Sequence, residues 1–292
     1  MTSTFYHQPV MLKEVDNFLI TKKDGYYVDC TFGGGGHSAY LLNKYPNIKI
    51  IAFDQDADAF KYINNNQNIQ KKRIVFCNTN FRNILKELNR LNIKKVSGIF
   101  ADLGVSSKQF DNKQRGFSFN SDTMLDMRMD QSKTLSAYEV INTFSYDKLV
   151  DIFFAYGEES YSKQIAKKIV EERLKYTIKT CNQLHNIISA INWKKNNIDP
   201  ATKIFQALRI YVNDELGSLK ELLNAIPLIL DDNTRALFLT YHSLEDRIVK
   251  TAFKNFSVYG LKIVNKKVIV ASQEEIKENP RSRSAKMRVL EK

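Results

Sequence analysis

The stretch DCTFGGGGHS, residues 29–38, decides how this chain is read. A β-rich run, YYVDCTF at 26–32, passes directly into Gly33, Gly34, Gly35 and Gly36, and then through His37 and Ser38 into the helical pattern AYLLNKY. Glycines let a backbone adopt positive φ and approach a ligand closely, and a helix start offers unpaired N–H groups to an anion. A strand, a four-glycine turn and a helix in that order predict a nucleotide-type cofactor turn. A turn made only to save space would need one or two glycines.

Outward from that turn, IKIIAFD at 48–54, RIVFCN at 73–78 and VSGIFADLGV at 96–105 are further short β-rich runs with helix-length segments between them. Strands at this spacing imply βαβ units and a parallel sheet, hence an α/β fold. The next comparable run, RALFLTYH, begins only at 235, although a crossover needs just a dozen or more residues. An insertion is therefore expected. Apolar residues recur at helical spacing through it: Ile165, Ile169 and Leu174, then Leu184, Ile187, Ile188 and Ile191, then Phe205, Leu208, Val212, Leu219, Leu222, Leu223 and Ile226. The division expected is a first part of the sheet domain over 1–109, an inserted helical subdomain on the substrate side over 110–205, and a second part of the sheet domain over 206–292. The last long helix should return to the sheet and end near Pro227, followed by a closing hairpin of KIVNKKVIVA (262–271) and KMRVLE (286–291).

Asp54 closes the second strand about 20 residues after the glycines, where a carboxylate can accept hydrogen bonds from ribose hydroxyls. That spacing leaves NAD and S-adenosylmethionine both open. The dinucleotide fingerprint asks for a small Gly or Ala where Ser38 stands, which mildly disfavours a pyrophosphate ligand. Asp102, ending the fourth strand, should lie on the same carboxyl edge of the sheet, where open α/β folds bind their ligands.

The 292 residues carry 44 Lys and Arg against 32 Asp and Glu, a formal charge of +12. Such a balance suits a polyanion, whose condensed counterions the protein cations release: RNA, DNA and anionic membrane all qualify, as does an ordinary well-solvated surface in a Lys- and Asn-rich chain. With 43% hydrophobic and 11% aromatic residues the chain is no disordered segment. Three cysteines, Cys30, Cys77 and Cys181, form no CxxC pair and no zinc-like spacing, so neither a disulfide framework nor a metal site is expected. The N-terminal residues lack a signal-peptide pattern and no apolar run approaches the ~20 residues that span a bilayer, so a reduced, cytoplasmic protein is expected.

Eight segments carry a resemblance to a known family: HQPVMLKEV (7–15), DCTFGGGGHS (29–38), DLGVSSKQFD (102–111), RGFSF (115–119), LDMRMD (125–130), PATKIFQALRIYVNDEL (200–216), YHSLEDRIVK (241–250) and NPRSRSAKMR (279–288). In order and in extent they resemble the MraW/RsmH family. The resemblance implies a Rossmann-like methyltransferase sheet with an inserted helical subdomain, and an enzyme that transfers a methyl group from S-adenosylmethionine to the exocyclic amino nitrogen of a cytidine in bacterial small-subunit ribosomal RNA. It implies that Gly35, Gly36 and His37 contact the cofactor, that Asp54 holds its ribose, that Phe81 packs near the adenine, and that Asp102 and Gln109 complete the pocket. From the residues alone, Phe81 reads as core.

The chemistry implied needs an acceptor beside the amino N–H bonds, because the amino lone pair is delocalised into the ring until the group is positioned and pyramidalised. Asp102 or a neighbouring backbone carbonyl of the DLGVSS loop is the expected acceptor, with Asp102 or Ser106 as the expected catalytic group. The comparable loop of DNA amino methyltransferases has Pro-Pro and an aromatic, and no two prolines are adjacent here. An unpaired base is the cheapest to extrude; Phe117 and Phe119 would stack on it and Arg115 would meet a phosphate, although core phenylalanines are the commoner reading. His242 should face the substrate, and Ser243 with Asp246 reads as a capping-box-like helix start. Arg281 and Arg283, with Lys286 and Arg288 beside them, should steer RNA or the small ribosomal subunit, with RNA held between the two parts. An NAD-dependent oxidoreductase and a non-catalytic ribosome-assembly factor are the rival readings.

Overall fold

In a computed structural model of the chain, residues 9–59, 61, 70–119, 121–191 and 199–292 are described. His7 and Gln8, which open the HQPVMLKEV segment, lie outside them. Two compact units form: Met1–Gly104 with Leu216–Lys292, and Val105–Glu215.

Among the described residues the first unit is built on eight strands: β1 Asp24–Asp29, β2 Asn47–Phe53, β3 Ile74–Cys77, β4 Val96–Asp102, β5 Leu230–Thr240, β6 Lys262–Ile263, β7 Ile269–Val270 and β8 Lys286–Glu291. Their order is β3-β2-β1-β4-β5-β8-β6, with β7 also paired to β8. β3, β2, β1, β4 and β5 run parallel, and β8 lies antiparallel to β5. The strand order reverses beside β1, as in doubly wound α/β folds, and places the ends of β1 and β4 at the crevice where such folds bind ligands. This is a Rossmann-like, doubly wound α/β sheet.

Side-chain alternation assigns each strand residue to one of two cores. Val28, Ile99, Ala101, Ala236 and Phe238 enter one cluster, completed by Leu219, Leu222, Leu223 and Ile226 of the Glu215–Ile229 helix. Tyr27, Phe100, Leu237 and Leu239 enter the opposite cluster, with Val15 and Leu19 of the Leu12–Leu19 helix and Leu41 and Leu42 of the Gly36–Lys44 helix. Both faces are covered, which is why these strands read as nearly continuous apolar runs.

The second unit is helical. Ala137–Thr143, Tyr146–Gly157, Ser162–Arg173, Cys181–Ser189 and Ala201–Asn213 are its longer helices. Their buried faces, including Ile152, Phe153, Ile165, Ile169, Leu184, Ile188, Ile204 and Leu208, share one core. Buried Asn213 pins a loop to it: Oδ1 accepts from the Met129 N–H at 2.7 Å and Nδ2 donates to the Met127 carbonyl at 2.8 Å.

Three expectations need correction. The unit boundaries fall at 104/105 and 215/216, not at 109/110 and 205/206, because Phe205, Leu208 and Val212 pack into the helical core. The apolar stripe from Phe205 to Ile226 is not one helix. It breaks at Asp214, whose φ of 48° is left-handed, and its two halves serve different cores. The segment 262–271 is not one strand but the two short strands β6 and β7. Between them the Asn265 side chain takes the place of strand backbone, accepting from the Val289 N–H at 2.7 Å and donating to the Met287 carbonyl at 2.9 Å.

Candidate active site

Five parallel strands all end on one edge of the first unit, so the residues just past them are neighbours by construction. β1 leads through Thr31 and Phe32 into the glycines. Gly33 and Gly35 have φ of 52° and 71°, the left-handed region that glycine tolerates. Gly35 is the N-cap of the Gly36–Lys44 helix, which has no side-chain cap. A Cβ at Gly35 would stand 2.3 Å from the Phe32 ring, and one at Gly36 would stand 2.5 Å from the Pro9 ring. Those two glycines have a reason within the protein. Among the described residues Gly34 has none, since a Cβ there would meet no described atom within 4 Å and its φ is not left-handed. The loop is open above Gly34, which leaves room for a ligand to approach the backbone.

Asp54 follows β2 directly. Its Oδ2 accepts from the Gly33 N–H at 2.7 Å and its Oδ1 from the Asp56 N–H at 2.8 Å, so the carboxylate is fixed against the glycine loop. Beneath the loop lies a second acid that nothing in the sequence pattern singles out. Asp29, 1% exposed, accepts from Ser38 Oγ at 2.6 Å and from the Thr31 N–H at 3.1 Å. Burial pushes its carboxyl up to about 7 against those two hydrogen bonds, with Asp54 and Asp102 adding to the rise. His37 is buried, its Nε2 2.9 Å from the Val10 carbonyl oxygen and its ring edge-on to Phe100 at 5.5 Å. Phe81 begins a 3-10 turn four residues after β3 and packs against the first core.

Asp102 ends β4. Its backbone N–H donates to Thr31 Oγ1 at 2.7 Å, and its Oδ1 accepts from the Tyr241 hydroxyl at 2.5 Å. Burial raises its carboxyl above the usual range, opposed by His37 and by the Tyr241 hydrogen bond. Tyr241 had no assigned role in the sequence; only the β4–β5 register, Asp102 beside Leu239, reveals that its hydroxyl reaches the acid.

His242 and its neighbours differ from expectation. The N-cap of the Ser243–Asn255 helix is His242 and not Ser243: its Nδ1 accepts from the Glu245 N–H at 3.4 Å, and the Glu245 carboxylate accepts from the Tyr241 and His242 N–H groups at 2.9 and 3.4 Å. His242 Nε2 lies 3.1 Å from Glu245 Oε1 but out of line for a hydrogen bond. Nδ1 of this ring is committed to the helix start, while Nε2 has no hydrogen-bond partner among the described residues. Asp246 pairs with Arg288 through two contacts of 2.7 and 3.0 Å, which removes Arg288 from the expected phosphate patch. Arg281 and Arg283 are exposed on the Pro280–Ser284 turn.

The remaining expected residues belong to the helical unit. Ser106 is the N-cap of the Ser107–Asp111 helix; its Oγ accepts from the Gln109 N–H at 3.2 Å and the Gln109 side chain accepts from the Ser106 N–H at 3.0 Å. This reciprocal cap occupies Ser106 Oγ and speaks against a catalytic serine. Arg115 is buried and donates to the carbonyls of Arg128 and Met129 at 2.9 and 3.0 Å, so its guanidinium serves the loop and not a phosphate. Phe117 is in the helical core, and Phe119 stacks on His185 at 5.4 Å and meets Phe205 edge-on. Both rings already have partners within the protein.

Among the described residues no helix is long and apolar enough to cross a membrane, and no group of three or more His, Cys, Asp or Glu is placed to hold a metal ion. A chain from Endomicrobium trichonymphae named "Ribosomal RNA small subunit methyltransferase H" is 51% identical over 98% of this chain and 99% of its own length. Proteins of the same name from Oceanobacillus iheyensis and Clostridioides difficile are 46% and 43% identical, each over 99% of this chain and over 95% and 99% of their own. The profile of the MraW methylase family matches residues 4–292, and with these relatives at that identity the chain belongs to the MraW methylase family.

Proposed function

We propose that the protein transfers a methyl group from S-adenosylmethionine to the exocyclic amino nitrogen of a cytidine in bacterial small-subunit ribosomal RNA. The observation that carries this reading is the pairing, on one sheet edge, of a glycine loop fixed to Asp54 with an acid, Asp102, only one of whose oxygens has a hydrogen-bond partner among the described residues. The relatives' names supply the substrate class.

The residues present fit the cofactor. Space above Gly34 suits approach to the loop backbone, the uncapped start of the Gly36–Lys44 helix suits its carboxylate, and the Asp54 carboxylate, held against the glycine loop where β2 ends, is the acceptor for its ribose hydroxyls. Phe81 offers an apolar face for the adenine. When bound, the cofactor supplies an electrophilic methyl carried on a sulfonium. Asp102 orients the target amino group by accepting one N–H through Oδ2 and takes the proton that nitrogen gives up as the new N–C bond forms. Burial has raised the carboxyl, which makes it a better proton acceptor than a solvated aspartate. The exposed Arg281 and Arg283 provide charge for RNA phosphates, and the +12 balance favours the encounter.

Asp102→Asn, with cofactor affinity and turnover measured separately, tests the assignment. Turnover should fall by about a hundredfold or more while the fold and a measurable cofactor affinity persist. Unchanged turnover would remove Asp102 from the chemistry.

A further inference from the structure

We infer that Tyr241 is the positioning residue of the transfer: its hydroxyl holds Asp102 by Oδ1, so that Oδ2 is turned to the amino group of the acceptor base. This rests on the reading of Asp102 as the acceptor.

Three contacts build the device. Tyr241 donates to Oδ1 at 2.5 Å. Thr31 Oγ1 accepts from the Asp102 backbone N–H at 2.7 Å and fixes the residue from the glycine-loop side. Glu245, 2% exposed, accepts from the Tyr241 backbone N–H at 2.9 Å and fixes the tyrosine's own backbone where β5 ends. With Asp102 held at main chain and side chain, the carboxylate plane has little freedom, and an acceptor held in place before reaction costs no reorganisation during it. Oδ2 takes no hydrogen bond from any described residue and is not a buried orphan, so it remains accessible to a substrate donor.

The tyrosine also settles a conflict of charge. Burial and Glu245 disfavour an ionised Asp102, while His37 and the Tyr241 hydroxyl favour it; Asp29 is the other acid that interacts with it. Of the two favourable partners, only Tyr241 touches the carboxylate. A hydrogen bond to the charged form lowers a carboxyl's affinity for protons, so its removal must raise that affinity. The phenol itself stays protonated throughout, since burial and then Asp102 push it well above the usual tyrosine range. The proton released by the amino nitrogen goes to Asp102 and from there to solvent, and Tyr241 neither gains nor loses one.

Tyr241→Phe in the full chain is the test, read as kcat against pH with S-adenosylmethionine affinity and thermal melting measured alongside. At pH 7 kcat should fall about tenfold, and the acid limb of the profile should move upward by about one pH unit, the scale of one hydrogen bond to a charged group. A merely structural tyrosine would change melting without moving the limb. Replacing Tyr241 by a ring-fluorinated tyrosine, which keeps the shape and strengthens the donor, should move the limb downward and decides the matter if the phenylalanine variant does not fold. An unmoved acid limb in the folded variant, or in the fluorinated protein, overturns the inference. The two readings fail separately: Asp102→Asn with full turnover removes the acceptor itself, whereas Asp102→Asn inactive beside an unaltered Tyr241→Phe removes only Tyr241.

Discussion

Ser38 Oγ donates to Asp29 Oδ2 at 2.6 Å, joining the first turn of the helix that follows the glycine loop to the last residue of the strand that precedes it. The loop is thus bridged beneath its tip by a pair with almost no access to water, both residues being 1% exposed or less.

The buried acid of that pair gives stability a pH dependence. Asp29 ionises at about 7 in the fold, raised chiefly by burial, against 3.8 for an ordinary aspartate. Between those values the folded chain binds more protons than the unfolded one, so stability falls as pH rises from about 4 to about 7 and the destabilising contribution is complete above that. Asp29→Asn keeps an acceptor for the Thr31 N–H and gives Ser38 Oγ an N–H donor in place of the acceptor it has now, while removing the charge. In melting experiments without cofactor, the variant should gain on the wild type between pH 5 and pH 8. The same difference at both pH values would refute the raised carboxyl.

The glycines separate by mechanism. Gly34→Ala has open space and no left-handed φ, so it should change stability by no more than about 0.5 kcal/mol. Gly35→Ala must accommodate a φ of 71° and the Phe32 ring, at a cost of about 1–2 kcal/mol. If the space above Gly34 belongs to the cofactor, Gly34→Ala still weakens S-adenosylmethionine binding by about tenfold, about 1.4 kcal/mol. Calorimetry on the two variants checks this; full affinity in Gly34→Ala would place the cofactor elsewhere.

The basic C-terminal segment should divide in the same way. Arg288 is paired with Asp246, whose carboxyl sits below the usual range because the bidentate contact and its charge outweigh burial. A depressed acid lends stability above its unfolded value, so this contribution is lost as pH falls below about 4. Arg288→Met should lower the melting temperature at pH 7, converge with the wild type in acid, and leave the salt dependence of RNA binding intact. Neutralising the exposed Arg281 and Arg283 should do the reverse, weakening RNA binding and reducing its salt slope by about one for each phosphate that an arginine no longer neutralises. An unchanged slope would remove this turn from the RNA interface.

Most of the sheet, and the placing of Asp54 and Asp102 on one of its edges, could be read from the sequence, because both follow from local pattern. β1 to β4 announce themselves as short β-rich runs, and Asp54 and Asp102 stand at strand ends that a parallel sheet must bring to one edge. What escaped depends on register or on burial. Tyr241 meets Asp102 only through the β4–β5 pairing. The break at Asp214 is invisible to periodicity, since the apolar stripe continues across one left-handed residue. Arg115 resembles a phosphate ligand until its carbonyl partners are seen, and His242 is an unusual N-cap beside a serine that looked the better one.

The most direct measurement of the central claim is to incubate the protein with methyl-labelled S-adenosylmethionine and small ribosomal subunits from cells lacking this enzyme, then digest the RNA and identify the labelled nucleoside. The account predicts label in N(4)-methylcytidine, incorporated about a hundredfold more slowly, or slower still, with Asp102→Asn. Label in another nucleoside, or intact cofactor binding with no transfer to the subunit's RNA, would contradict it.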